Sequence, residues 1–225
     1  RERRPAVTML SVLSDDSMGF GRVVRNAQGA VQAIVEEAVA SAEILAIREL
    51  NCGVYCFDAE WLWRRLPDVP ITPPQGEYYL TDMVGLAVAE GLPVEVLTIT
   101  AVEEVQGINT RIHLAQAERI LQARINERWM LAGVTLLDPA TTYIEATVQI
   151  GRDTLIYPNT MLQAGTVIGE RAVIGPNTLI RSSRIGDDCR VLMAVVEEAI
   201  MEQGANIGPY GHLRPAAHLG EGVHM

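Results

Sequence analysis

Three of the four histidines, His212, His218 and His224, stand at six-residue intervals. Evenly spaced imidazoles are first suspects for a metal site, because neutral histidine is a common ligand for zinc and other borderline cations. Thiolate, the soft alternative, is available only from Cys52, Cys56 and Cys189. That set is odd and sparse, unlike the framework of a small secreted domain, and Cys52 and Cys56 sit in the strand-like run ELNCGVYCF rather than in a metal knuckle. The cysteines therefore point to a reducing cytoplasm. Whether the histidines can share an ion depends on the element that carries them.

That element is a hexad repeat. Stepping by six from Ile144 lands on Ile150, Ile156, Leu162, Ile168, Ile174 and Ile180. The residue two before each is small or β-branched (Thr142, Val148, Thr154, Thr160, Thr166, Ala172, Thr178), and turn formers recur beside them at Gly151, Pro158, Gly165, Gly169 and Gly175. Six is not a helical period, and a single strand holding all seven aliphatics would exceed the usual length several-fold. The pattern is that of a parallel β-helix, in which each hexad is a short strand plus a turn and three hexads close a triangular coil, so that residues about eighteen apart stack. The seven aliphatics are expected to point inward. The period slips at Arg184, since Ile185 follows Ile180 by five, runs loosely through 191–206 and resumes at Ile207, Leu213 and Leu219. Six residues carry the chain a third of the way round a coil. The three histidines are therefore expected on three different sides, not around one ion.

With 225 residues, 48% of them hydrophobic, the chain can bury cores in two modest domains. Its net charge is −10 and all 18 basic residues are arginine. That balance argues against nucleic acid or an anionic membrane as partner, since both need clustered basic side chains. No apolar run approaches the roughly 20 residues that span a bilayer, and RERRPAV lacks the apolar core of a signal peptide.

Residues 6–13, 21–26, 29–36 and 49–57 are rich in β-branched and apolar types between turn formers and read as strands. Asp58 opens a short helix, AEWLWRRL, and the turn-rich ITPPQGE follows. Thr81 is placed to cap a helix through Met83, Leu86 and Val88 that ends at Gly91, and PVEVLTI reads as another strand. This half is α/β. Leu114, Ala117, Leu121, Ile125 and Trp129 fall three or four apart, so residues 113–130 read as one amphipathic helix joining the halves, with Glu118, Arg119, Glu127 and Arg128 outward.

Seven segments carry a family resemblance in the same order: DDSMGFGRVVR at 15–25, IVEE at 34–37, ELNCG at 49–53, QGEYYLTD at 75–82, VQGINTR at 105–111, LAGVTLLDP at 131–139 and IGPYGHLRP at 207–215. Together they resemble the bifunctional N-acetylglucosamine-1-phosphate uridylyltransferase/glucosamine-1-phosphate N-acetyltransferase family, one of the sugar-nucleotide pyrophosphorylases. The resemblance implies an α/β nucleotidyltransferase-like (Rossmann-like) domain whose C-terminal part is 1–112, a linker helix at 113–131, and the start of a left-handed parallel β-helix acetyltransferase domain at 132–225. It implies uridylyl transfer from UTP to N-acetylglucosamine-1-phosphate with Mg2+, and acetyl transfer from acetyl-CoA to glucosamine-1-phosphate. The implied setting is a cytoplasmic homotrimer supplying peptidoglycan and lipopolysaccharide synthesis.

The resemblance also implies substrate-binding residues. Gly21 would bring a backbone amide close to the sugar, which a residue without Cβ permits. Glu36 would accept from sugar hydroxyls, and Asn51 would offer the same sugar both a donor and an acceptor. Asn109 would give magnesium a neutral amide oxygen. Arg214 would hold the acetyl acceptor with its planar fork. By residue type alone, Gly21 is also a hairpin-like turn, Glu36 a solvated strand-end charge and Asn109 a helix cap.

Two positions depart from the family pattern. Glu37, Ala38 and Val39 follow Glu36 where the family usually has a Lys-Asp pair, and Ala216 stands where it typically has Gly. The family's glycine-rich phosphate loop with its lysine, its metal-binding aspartate and its catalytic histidine have no counterpart here, so no residue is assigned as catalytic. The sequence thus reads as a central piece cut at both ends and inactive by itself. Two other readings fit the same elements: a monofunctional hexose-1-phosphate nucleotidyltransferase with a β-helical tail, and a non-catalytic β-helical scaffold.

Overall fold

A computed structural model describes residues 4–72 and 76–225. Residues 73–75 of ITPPQGE, including the first residue of QGEYYLTD, and the first three residues of RERRPAV lie outside the described residues. The chain forms two compact units, Arg1–Asn109 and Thr110–Met225.

The first unit runs β1 (Val7–Leu13), β2 (Arg22–Arg25), β3 (Val31–Val35), the single turn α1 (Ala42–Leu45), β4 (Glu49–Phe57), α2 (Ala59–Arg65), the short antiparallel pair β5 (Ile71–Thr72) and β6 (Glu77–Tyr78), α3 (Asp82–Ala89) and β7 (Val94–Ile99). The main sheet has the order β3-β2-β4-β1-β7, with β7 parallel to β1 and the other pairs antiparallel. Its core gathers Val7, Met9, Val23 and Ile34 from the sheet with Trp61 of α2 and Met83, Val84 and Ala87 of α3. Asp58 caps α2 as the sequence leads one to expect, its carboxylate accepting from Trp61 N at 2.9 Å. Thr81 does not cap α3. It occupies the N-cap position in a helical conformation, φ −61° and ψ −25°, and its hydroxyl makes no capping bond. That hydroxyl is taken up by a carboxylate from another loop, described below.

A polar knot ties the sheet together. Ser11 Oγ donates to Glu49 Oε1 at 2.8 Å, and Arg25 grips the same carboxylate with Nε and Nη2, each at 2.6 Å. Burial favours the neutral acid, but the bonds from Arg25 and Ser11 prevail and hold the Glu49 carboxyl below its ordinary value of 4.5. A group whose pKa is lower in the folded state stabilises the fold above its unfolded pKa and loses that contribution as pH falls through the folded value. Acid should therefore weaken the first unit from about pH 4.5 downward, and Glu49→Gln should flatten this part of the stability–pH curve. The expected loss is on the order of 1 kcal/mol, as for a partly exposed pair. Urea melts at pH 7 and pH 3.5 check it; equal pH slopes for both proteins would count against the assignment.

The second unit opens with α4 (Arg111–Leu131), capped by Thr110, whose Oγ1 accepts from His113 N at 3.1 Å. The cap is thus the neighbour of Asn109, which sets aside the cap reading of Asn109. Ile125 and Asn126 are buried and Trp129 packs against the core, but Leu114 and Leu121 are exposed, contrary to the expected inward stripe. The physical reason is reach: the C-terminal turns of α4 lie on the first coil, and the N-terminal turns extend past it. Asn126 fixes the seating, its Nδ2 donating to Pro139 O at 2.8 Å and Thr142 O at 3.0 Å.

From Thr135 to Leu219 the chain is a parallel β-helix of three five-stranded sheets. Its interior is three aliphatic stacks: Leu136, Ile156, Ile174, Val191, Ile207; Ile144, Leu162, Ile180, Val196, Leu213; and Ile150, Ile168, Ile185, Met201, Leu219. All seven residues of the sequence repeat are buried. The slip at Arg184 does not break the stack. Stacked residues stand eighteen apart at Ile150 and Ile168, seventeen at Ile168 and Ile185, sixteen at Ile185 and Met201, then eighteen again at Leu219. The shortened coils lose residues from their turns and keep the strands in register.

Buried threonines close the corners. Thr160 Oγ1 donates to Tyr157 O at 2.8 Å and Thr166 Oγ1 to Gln163 O at 2.7 Å, so small β-branched residues two before each aliphatic satisfy turn carbonyls. At another corner Gly151, Gly169 and Gly186 stack coil on coil with no room for a Cβ. Ala216 has φ +67°, a left-handed conformation that costs an alanine about 1–2 kcal/mol and a glycine little. That is the physical reason for glycine at this corner in the resembling family.

The histidines lie on three different sheets, as expected. His212 Nε2 meets Glu197 Oε2 at 2.9 Å, His218 Nε2 meets Glu202 Oε1 at 2.8 Å, and His224 Nδ1 meets Asn206 Nδ2 at 2.8 Å.

Candidate functional site

Gly21, Glu36 and Asn51, distant in the sequence, meet at one end of the first unit's sheet. Gly21 leads into β2, and its carbonyl accepts from Asn51 N at 2.8 Å, which pins the entry to β2 against β4. A Cβ on Gly21 would lie 3.1 Å from Ile34 Cγ2, 3.2 Å from Val35 O and 3.3 Å from Glu36 Oε2. A side chain here would crowd the neighbouring strand end, and the glycine itself lies buried beside the Glu36 carboxylate.

Glu36 ends β3 and precedes a 3-10 turn, Glu37–Val39. Its Oε1 accepts from the Thr81 hydroxyl at 2.8 Å. Among the described residues no donor meets Oε2, which remains the acceptor facing Gly21. Next to it, Glu37 receives both terminal nitrogens of the buried Arg22 at 3.1 Å, and Arg22 Nη1 also donates to Phe20 O. The departure from the family pattern at Glu37 therefore has a structural use: it neutralises the arginine that follows Gly21.

Asn51, only 7% exposed, is held by two donors. Gly53 N donates to Asn51 Oδ1 at 3.2 Å and the Tyr55 hydroxyl donates to the same oxygen at 2.8 Å. Tyr55 is pushed up to about 12, chiefly by burial, with the nearby Glu36 charge adding, so it stays a protonated donor at neutral pH. Thr81 and Tyr55 are the members of this cluster that reading by motif missed. Thr81 lay within a quoted motif but resembled a helix cap, and Tyr55 lay in the strand-like run ELNCGVYCF with no role of its own.

The other two expected site residues lie apart. Asn109 is exposed at the end of the first unit, two residues after Gly107, whose Cβ position is 3.4 Å from the Phe20 ring. Arg214 is exposed on a corner of the second unit, its carbonyl accepting from Ala217 N at 3.0 Å, and no side chain among the described residues pairs with its guanidinium. Among the described residues no group of three or more His, Cys, Asp or Glu is placed to hold a metal ion. One neutral amide oxygen does not by itself make a magnesium site, which wants one or two carboxylates. No helix among the described residues is long and apolar enough to cross a membrane.

Residues 147–182, within the β-helix, match the bacterial transferase hexapeptide family (six repeats). The relatives of the whole chain narrow the class. The bifunctional protein GlmU of Shouchella clausii is 43% identical over 218 residues, covering 97% of this chain and 48% of that protein. Those of Limosilactobacillus reuteri and Limosilactobacillus fermentum are 42% and 48% identical over 224 residues, covering 100% of this chain and 49% of each. In sequence the chain is similar to the bifunctional GlmU proteins, and it spans about half the length of the relatives it matches.

Proposed function

We propose that this chain is part of a bifunctional enzyme of UDP-N-acetylglucosamine synthesis. The first unit belongs to a Rossmann-like domain in which a phosphate oxygen of N-acetylglucosamine-1-phosphate attacks the α-phosphorus of UTP and pyrophosphate leaves. The second belongs to a left-handed β-helix that, as a cytoplasmic homotrimer, takes the acetyl group from acetyl-CoA onto the amine of glucosamine-1-phosphate. In this reading 1–112, 113–131 and 132–225 are the end of the first domain, its linker and the start of the second. Gly21, Glu36 and Asn51 hold the sugar, Asn109 contributes one magnesium ligand, and Arg214 holds the acetyl acceptor.

The observation that carries this reading is the convergence of Gly21, Glu36 and Asn51. Beside the buried Gly21, a carboxylate oxygen without a donor and an amide with unpartnered hydrogens form a polar cluster suited to the hydroxyls of a sugar. The test is saturation-transfer NMR of N-acetylglucosamine-1-phosphate with the chain, alongside Glu36→Ala. The wild type should bind and the variant should lose at least about tenfold in affinity, the scale of one lost charge-assisted hydrogen bond. No binding by the folded wild-type chain would overturn the reading.

A further inference from the structure

The orientation of the Asn51 amide is fixed by chemistry. A backbone N–H can only donate, so the Asn51 atom 3.2 Å from Gly53 N must be the carbonyl oxygen. The Tyr55 hydroxyl, 2.8 Å from that same oxygen, must then donate to it. An amide oxygen has two lone pairs, and both are now engaged. Nothing remains of Asn51 to accept from a ligand. Its Nδ2 carries two hydrogens that meet no acceptor among the described residues, in a side chain with little exposure to solvent. Opposite it, Glu36 has the complementary character: Thr81 occupies Oε1, and Oε2 can only accept.

We propose that Tyr55 is a positioning residue that holds the Asn51 amide with its NH2 toward the sugar, so that Asn51 acts as a pure donor opposite a pure acceptor, Glu36. This rests on the reading above and sharpens it, because it replaces the two-way amide expected from the sequence with a one-way contact. The site then selects a ligand presenting an acceptor oxygen at Asn51 and a hydroxyl hydrogen at Glu36. Tyr55 suits this role through its place on β4: Asn51 and Tyr55 pair with Ser11 and Met9 of β1 on either side of a bulge, and the Tyr55 ring is seated against Phe57 at 5.5 Å between centroids. The hydroxyl can therefore be removed without removing the ring.

Two arms test the proposal on the full chain. The first needs no ligand: side-chain 15N relaxation of Asn51 should show a rigid amide in the wild type and a mobile one in Tyr55→Phe, with the thermal midpoint little changed. An equally rigid amide in Tyr55→Phe would overturn the proposal. The second measures binding of N-acetylglucosamine-1-phosphate. Tyr55→Phe should weaken it about tenfold, since a freed amide loses its preorganisation. Asn51→Asp should abolish it, because the carboxylate still accepts from Gly53 and Tyr55 but presents an oxygen where the NH2 stood. Binding retained by Asn51→Asp would overturn the donor assignment. A wild type that binds no sugar phosphate would sink the functional reading, and the relaxation arm would still decide what Tyr55 does.

Discussion

Ile174→Ala should destabilise the second unit by about 3–4 kcal/mol, within the range for deleting a fully buried aliphatic side chain. Ile174 has no exposed surface and stacks between Ile156 and Val191 in the middle coil. The cavity cannot collapse easily, because the strands on both sides are fixed by parallel ladders. In a solenoid each coil is stabilised only by its neighbours, so a weak middle coil weakens the contacts above and below it. The measurement is chemical denaturation followed by far-ultraviolet circular dichroism, with Met161→Ala as control. Met161 faces outward on the same repeat and is 42% exposed, so its loss should cost under about 1 kcal/mol. Equal costs at the two positions would refute the inward stack.

Gly169→Ala should cost at least as much as a typical overpacking substitution, about 3 kcal/mol, for the opposite reason. The added methyl would lie 2.7 Å from Asp187 N and 2.8 Å from the carbonyl carbon of Gly186, both backbone atoms of the next coil. Backbone held in a ladder cannot rotate away as a side chain can, so relief requires the coils to separate. Gly165→Ala makes the contrast: that residue has a positive φ, +69°, but open space around its Cβ position. Its cost should stay near the 1–2 kcal/mol of a left-handed alanine. If Gly165→Ala proved worse than Gly169→Ala, backbone conformation rather than coil spacing would govern these corners.

The β-helix was legible because its code is local. Whether Ile150 or Leu162 points inward follows from a short strand and a turn within its own hexad, and stacking repeats the same decision coil after coil. Hence the shortened coils, where the period is lost, still place Ile185, Val191, Val196 and Met201 inside. The strands and helices of the first unit were legible for the same reason, through alternation, the Asp58 cap and apolar spacing.

The candidate site was legible only as separate residues. Gly21, Glu36, Asn51, Tyr55 and Thr81 come together through the pairing of β2 with β3 and β4 and the packing of α3 beside β3, none of which a local pattern encodes. The same limit explains Thr81, whose hydroxyl had two possible partners and went to Glu36, and the apolar stripe of α4, which only the length of the first coil could show to be half uncovered. It explains Asn51 most clearly. The amide type was written in the sequence, but the direction of its donor was set by Gly53 and Tyr55, because a hydrogen bond's sense is decided by the partner it meets in space.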